Sequence, residues 1–186
     1  MYICVRKRRI AYMDFKELVQ KRRSIRKFTS EELSEDEVYA LLRAALMSPS
    51  SKSSRCWEFV VVDDSETIAR IAHSKSAGAE FLEGAPLVIA VIADTTVSDV
   101  WIEDASIASY NIQLQAEDMG LGSCWAQIRN RYMKDGTPAD EVLHKLLGIP
   151  SNYEVLSVIG VGHKAMERQP QNEEKLLWEK VHLNKF

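Results

Sequence analysis

The sequence predicts an α+β layer fold, with roughly four strands and six helices. Three observations carry that reading. Helical and strand-like stretches follow one another as ααβ, ααβ, αβ and αβ, with a charged tail behind them. Residues 87–93 are apolar without alternation, which marks a strand buried on both faces. The chain has 186 residues, 46% hydrophobic and 27% charged, the balance of one ordinary globular domain.

The elements can be justified in order. Asp14 is placed to cap a short helix through residue 23, with Phe15, Leu18 and Val19 on one face. Ser34-Glu35-Asp36-Glu37 reads as a capping box, in which the Ser hydroxyl and the Glu carboxylate satisfy each other's free backbone N–H groups. The helix it opens carries Val38, Leu41, Leu42, Ala45 and Leu46 at helical spacing. It must stop near Met47, because Ser48 precedes Pro49. Residues 48–56 are a polar loop without period. Residues 57–62 form a β-branched strand, 65–73 and 75–83 two short helices, and 87–93 the buried strand.

Ser98 or Asp99 opens a long helix that ends at Gly120, a left-handed stop. This helix is apolar nearly all round, with Ala105, Ala108, Ile112 and Ala116 in one seam. It is therefore buried on several sides, in a core or against a partner subunit. Residues 123–128 are a short strand. Thr137-Pro138 is a cap and first-turn proline for a helix that ends at Leu147, with Gly148 as its stop. Residues 155–161 form the last strand, and the charged residues 171–186 are peripheral.

Several functions are excluded. The longest nearly unbroken apolar stretch, residues 85–93, is too short to span a bilayer, so no membrane partner is expected. Net charge is −3, unlike a nucleic-acid binder. Arg6, Lys7, Arg8 and Arg9 give a local +4 that leaves −7 on the rest. With no apolar core behind them they are not a secretion signal, and without interleaved aromatics they are a weak nucleic-acid arm. Residues 1–12 read as a disordered extension and 13–186 as the folded domain. Cys4, Cys56 and Cys124, far apart and odd in number, argue against disulfides or zinc and fit a reducing cytoplasm. There is no P-loop, no GxSxG elbow and no HExxH pair. An enzyme without reactive side chains of its own borrows its chemistry from a cofactor.

Two stretches carry binding chemistry. Arg22-Arg23-Ser24-Ile25-Arg26 sits where the first helix ends. That end is partially negative, so a phosphate there needs guanidinium forks and a hydroxyl. A solvated charge cluster that favours the helix dipole explains the same residues more simply. Residues 48–54, SPSSKSS, offer hydroxyls and backbone donors that can ring a polar heterocycle, although most such loops are plain connectors.

The order of the motifs adds to this. Arg22-Arg23-Ser24-Ile25-Arg26-Lys27-Phe28, then Ser48-Pro49-Ser50-Ser51, a strand opened by Trp57, Gly120-Leu121-Gly122-Ser123-Cys124-Trp125 after the long helix, and Ile159-Gly160-Val161-Gly162 at a strand end together resemble the nitroreductase family of flavin enzymes. The resemblance runs from about Met13 to the C-terminus. It implies a central mixed sheet flanked by helices and an intertwined homodimer, with one FMN per site at the interface and NADH or NADPH as transient co-substrate.

Carried over by position, it implies that Arg22, Ser24 and Arg26, with Arg23 beside them, hold the FMN phosphate and ribityl chain. Pro49, Ser50, Ser51 and Ser53 line the ring from the other subunit. Gln127 and Ile128 form a strand end beside the isoalloxazine, where a backbone N–H faces the hydride-accepting nitrogen. Gly162, His163 and Lys164 form the later phosphate-side turn. The sequence departs from the family pattern at Ser53, Arg55-Cys56 and Gln127-Ile128. Near the C-terminus Glu173 and Glu174 stand where a basic residue often completes the phosphate site, with Lys175 adjacent. The implied activity is ping-pong reduction of small acceptors such as nitroaromatics or quinones, with no catalytic side chain and no metal. A non-catalytic flavin or ligand sensor is the alternative.

Overall fold

A computed structural model describes residues 14–186; the expected N-terminal extension lies outside them. Four strands form one sheet in the order β1-β2-β4-β3: β1 (Trp57–Val62), β2 (Leu87–Asp94), β3 (Leu121–Gln127) and β4 (Tyr153–His163). Every pairing between them is antiparallel. A parallel contact enters through the bridge between Ser24 and Ser123, and the expected mixed character of the sheet rests on that bridge alone among the described residues.

Helices cover both faces. α2 (Glu35–Leu46) and α4 (Trp101–Asp118) pack on one face, with α1 (Phe15–Lys21) against α4, while α3 (Ser65–Ala72) and α5 (Ala139–Leu147) serve the other. Strand β2 shows why its sequence does not alternate. Leu87, Ile89, Val91 and Ala93 enter the core under α2 and α4. Val88, Ala90 and Ile92 enter the core under α3 and α5. A strand between two apolar layers has no polar face to display. Gly160 on β4 lets the second layer approach, since a Cβ there would lie 2.8 Å from Leu82 and 3.2 Å from Phe81.

The capping box at Ser34 forms as expected, with Glu37 bonded back to the Ser34 N–H at 2.8 Å. Gly148 ends α5 at φ 67°, and Gly120 follows α4 at φ 78°. The seam of Ala105, Ala108, Ile112 and Ala116 is fully buried.

Strands β3 and β4 begin two residues earlier than expected and α1 stops at Lys21, and four local readings fail at particular residues. Asp14 occupies the N-cap of α1, but its side chain makes no capping bond. Ser98 does not open α4, because its hydroxyl is directed at the Asp104 carboxylate, and Val100 takes the cap position. Pro138 sits at the cap of α5 rather than in its first turn. The expected helix over 75–83 is only a 3-10 turn, Glu80–Gly84. Gly78 at φ 83° breaks the path, and the preceding loop is pinned elsewhere, with the Ser76 N–H bonded to the Tyr132 carbonyl at 2.9 Å. Among the described residues no helix is long and apolar enough to cross a membrane.

Candidate functional site

The arginine segment leaves α1 in extended form. Its backbone is stitched to the sheet: the Ile25 N–H donates to the Ser123 carbonyl at 2.9 Å, and the Thr29 N–H to the His163 carbonyl at 2.9 Å. An extended segment sends alternate side chains to opposite sides. Ile25, 2% exposed, is the side that anchors it, packed so closely on β3 that a Cβ on Gly122 would lie 2.7 Å from its methyl. Arg22, Ser24 and Arg26 alternate with Arg23 and Ile25 along the segment. Arg22 lies over the Tyr110 ring and Arg26 over the Phe81 ring, with guanidinium-to-ring distances of 5.8 and 6.0 Å.

All three act on the Cys124 thiol. Burial pushes its thiol pKa up, while the charges of Arg26 and Arg22, a hydrogen bond from Ser24 and the charge of Lys75 pull it down. Lys75 escaped the sequence reading because the stretch around it looked helical. Its ammonium donates to the Gln127 carbonyl at 3.0 Å, and its pKa is lowered by desolvation and by the nearby Arg131. None of the described ion pairs uses Arg22, Arg26 or Lys75. A hydroxyl flanked by two guanidinium groups outside those ion pairs is the donor set a phosphate monoester requires, so these residues fit such a group.

Arg23 faces away from that set and donates to the Gln169 carbonyl. It lines a separate polar cleft with Lys21, Lys164 and Arg168. The expected later turn lies along the same cleft, but its members are engaged. The Lys164 ammonium pairs with Glu117 at 2.8 Å, and His163 lies 3.9 Å from both Glu31 and Glu37. A Cβ at Gly162 would lie 2.6 Å from Pro86, so its missing side chain serves packing. Arg168, not Lys175, is the C-terminal cation that shares a cleft with Arg23.

At the end of β3 the Gln127 amide is held inside the chain. It accepts from the Trp125 indole at 2.9 Å and donates to the Arg129 carbonyl at 3.0 Å. Ile128 is fully buried, and its N–H donates to the Leu156 carbonyl at 3.1 Å. At this strand end the Ile128 N–H is thus used within the sheet, on Leu156 of β4.

The serine loop passes beside α4. Ser48 accepts a hydrogen bond from Asn111 at 2.9 Å, and Ser50 accepts one from the Arg55 N–H at 2.8 Å. Pro49 and Ser53 are exposed, and the Ser51 N–H donates to the Asp104 carboxylate at 2.8 Å. Asp104 also went unread in the sequence, as one acid among many on a helix. Its signal was its position within an otherwise apolar stripe. Cys56 beside it has its pKa raised by burial and, secondarily, by the Asp104 charge. The described residues hold no cluster able to bind a metal ion.

The Nitroreductase family model matches residues 19–79 and 73–163. A curated archaeal protein, the putative NADH dehydrogenase/NAD(P)H nitroreductase of Archaeoglobus fulgidus, is 34% identical over 157 residues, covering 81% of this chain and 86% of that one. A counterpart of the same description from Methanothermobacter thermautotrophicus is 32% identical over 181 residues, covering 96% and 91%. The solved FMN-dependent nitroreductase of Clostridium difficile R20291 superposes with a TM-score of 0.89 at 46% identity, covering 91% of this chain and 98% of that one. With most of its length matched in both sequence and fold, the chain belongs to the nitroreductase family.

Proposed function

We propose that the protein is an FMN-dependent oxidoreductase that takes electrons from NADH or NADPH and passes them to small acceptors such as nitroaromatics or quinones. The carrying observation is that Arg22, Ser24 and Arg26 all act on Cys124 while neither arginine enters a described ion pair. The relatives support the assignment: one is described as an NAD(P)H nitroreductase and another as FMN-dependent. Bound FMN would supply reversible two-electron transfer, which no side chain of the chain can provide.

The residues then have defined tasks. Arg22 and Arg26 hold the phosphate through charge-assisted bonds, and Ser24 adds a hydroxyl. Lys75, fixed to the strand end by the Gln127 carbonyl, keeps a positive charge beside the site. Pro49, Ser50, Ser51 and Ser53 present a shaped polar edge to the ring across a dimer interface. Arg23 and Arg168 would reach the phosphate only at the margin, from their own cleft. No general acid is required of the protein. With no dinucleotide fingerprint in the sequence, donor and acceptor occupy one site in turn, which is the ping-pong order.

The dimer reading is supported by the surface. Phe15, Leu46, Met47, Ile107 and Tyr110 are exposed on α1, α2 and α4. In the tail, Trp178, Leu183 and Phe186 are exposed as well. Such an apolar surface calls for a partner, and a second copy satisfies it.

The test is direct. Purified protein should be yellow, elute as a dimer, and lose its flavin absorbance anaerobically on addition of NADH or NADPH. Colourless protein that ignores added FMN would sink the proposal.

A further inference from the structure

We propose that Asp104 is a positioning residue that holds the loop between Ser50 and Cys56 in the single conformation able to line the cofactor ring. The proposal rests on the functional reading above and deepens it.

The loop is unusual in its backbone. Lys52, Ser53 and Arg55 have φ of 52°, 55° and 49° without being glycine. Side chains disfavour that region, and several such residues together persist only where surrounding contacts over-determine them. Lys52, Ser53 and Arg55 are themselves exposed, so their own side chains do not impose the shape.

Asp104 supplies the constraint from α4. It is 3% exposed, and its two oxygens collect donors on either side of the left-handed residues. Oδ1 accepts from the Ser51 N–H at 2.8 Å. Oδ2 accepts from the Ser54 hydroxyl at 3.4 Å, the Ser98 hydroxyl at 3.3 Å and the Cys56 thiol at 3.6 Å. No described ion pair includes Asp104, so the loop and its neighbour Ser98 are what satisfy the carboxylate. An ionised carboxylate has only acceptors, and four donors converging on it leave little freedom to any of them. The bond between the Arg55 N–H and Ser50 Oγ closes the loop independently at 2.8 Å, but it spans the left-handed residues without tying them to the body of the fold. Asp104 provides that tie across 53 residues of sequence.

A carboxylate in the first turns of α4 also favours the helix dipole, a merely structural role. The two roles separate in one experiment, because Lys52 and Arg55 are trypsin sites inside the loop. Wild type, Asp104→Ala, Asp104→Asn and the double variant Ser54→Ala/Ser98→Ala are compared as full chains. Trypsin cleavage after Lys52 and Arg55 is measured against cleavage elsewhere by mass spectrometry, and FMN affinity by fluorescence titration. Asp104→Ala should raise relative cleavage in the loop and the FMN Kd by about tenfold each, the effect of losing a hydrogen bond to a charged group. Asp104→Asn should restore both to within about threefold, because its oxygen still serves the Ser51 N–H and the hydroxyls can turn to accept from its NH2. The double variant leaves α4 intact and should move both readouts the same way by a smaller factor, which keeps the test open if Asp104→Ala fails to fold. Loop cleavage and FMN Kd unchanged in the variants, or cleavage rising equally along the whole chain, would overturn the proposal. Wild type that binds no FMN would instead defeat the functional reading, and cleavage of the unloaded protein would still decide whether Asp104 anchors the loop.

Discussion

Segment 22–28, extended along the sheet edge, and the loop over 48–56, irregular beside α4, each lie near a buried cysteine, yet their polar groups end differently. In the loop, polar groups are satisfied inside the chain: Ser48 accepts from Asn111 and Ser50 from the Arg55 N–H, while the Ser51 N–H and the Ser54 hydroxyl donate to Asp104. Along the segment, Arg22 and Arg26 both act on Cys124, and neither enters a described ion pair. The first arrangement fixes a shape. In the proposed function, the second holds charge for the cofactor's phosphate. Cofactor sites combine the two, because a ligand must be both attracted and oriented.

The largest effect should come from the charged side. Arg22→Ala or Arg26→Ala should each weaken FMN binding by about 1.5–3 kcal/mol, a charge-assisted bond apiece, with little change in melting temperature. Fluorescence titration measures this; equal affinity in both variants would remove the distinction between the two regions. Next comes the anchor beneath the segment. In Gly122→Ala the new Cβ would stand 2.7 Å from Ile25 Cγ2 and 2.9 Å from its Cβ, so the backbone must give. Overpacking of this kind costs about 1–3 kcal/mol in urea unfolding, and FMN binding should fall with it. A variant as stable as wild type would show that the segment is not held where the packing places it.

Asn111→Ala is a smaller intervention on the loop side. It removes the bond to Ser48 and should cost about 1 kcal/mol, visible as a shifted urea midpoint without a change in slope. The smallest effect sharpens the contrast between the cysteines. Burial is the largest cause raising both thiol pKa values above 9.0. Thiols kept neutral in the fold contribute stability that is full below pH 9.0 and is lost as pH rises through their folded pKa values. Stability should therefore decline on the alkaline side of pH 9.0. Arg26→Ala should move alkylation of Cys124 to still higher pH and leave Cys56 in place, as followed by mass spectrometry across pH. A parallel shift of both would mean that the two environments are not electrostatically separate.

Much of the fold could be read in the residues because local chemistry decided it. The capping box of Ser34 and Glu37, the strand opened by Trp57 and the stop at Gly148 involve neighbours only a few positions apart. Reading failed where a distant group claimed a local one. Ser98 looked like a cap until Asp104 took its hydroxyl, and residues 75–83 looked helical although Gly78 turns the chain and Tyr132 binds Ser76. The site shows the same division. Alternation in the arginine segment was implicit in its extended form, and it separates Arg23 from Arg22, Ser24 and Arg26. That Ile128 spends its N–H on Leu156, or that Lys75 meets Gln127, depends on pairings across the sheet and between loops.

The sequence by itself determined the layered architecture, the family pattern and the basic segment after the first helix, since periodicity, capping and residue type act over a few residues. Tertiary structure alone decided which cations enter none of the described ion pairs, which residues of the segment act on Cys124, and that one carboxylate on α4 gathers a loop from far along the chain. Those outcomes follow from burial: once water is excluded, each polar group must find a partner, and the partner is whatever the packed fold brings within reach.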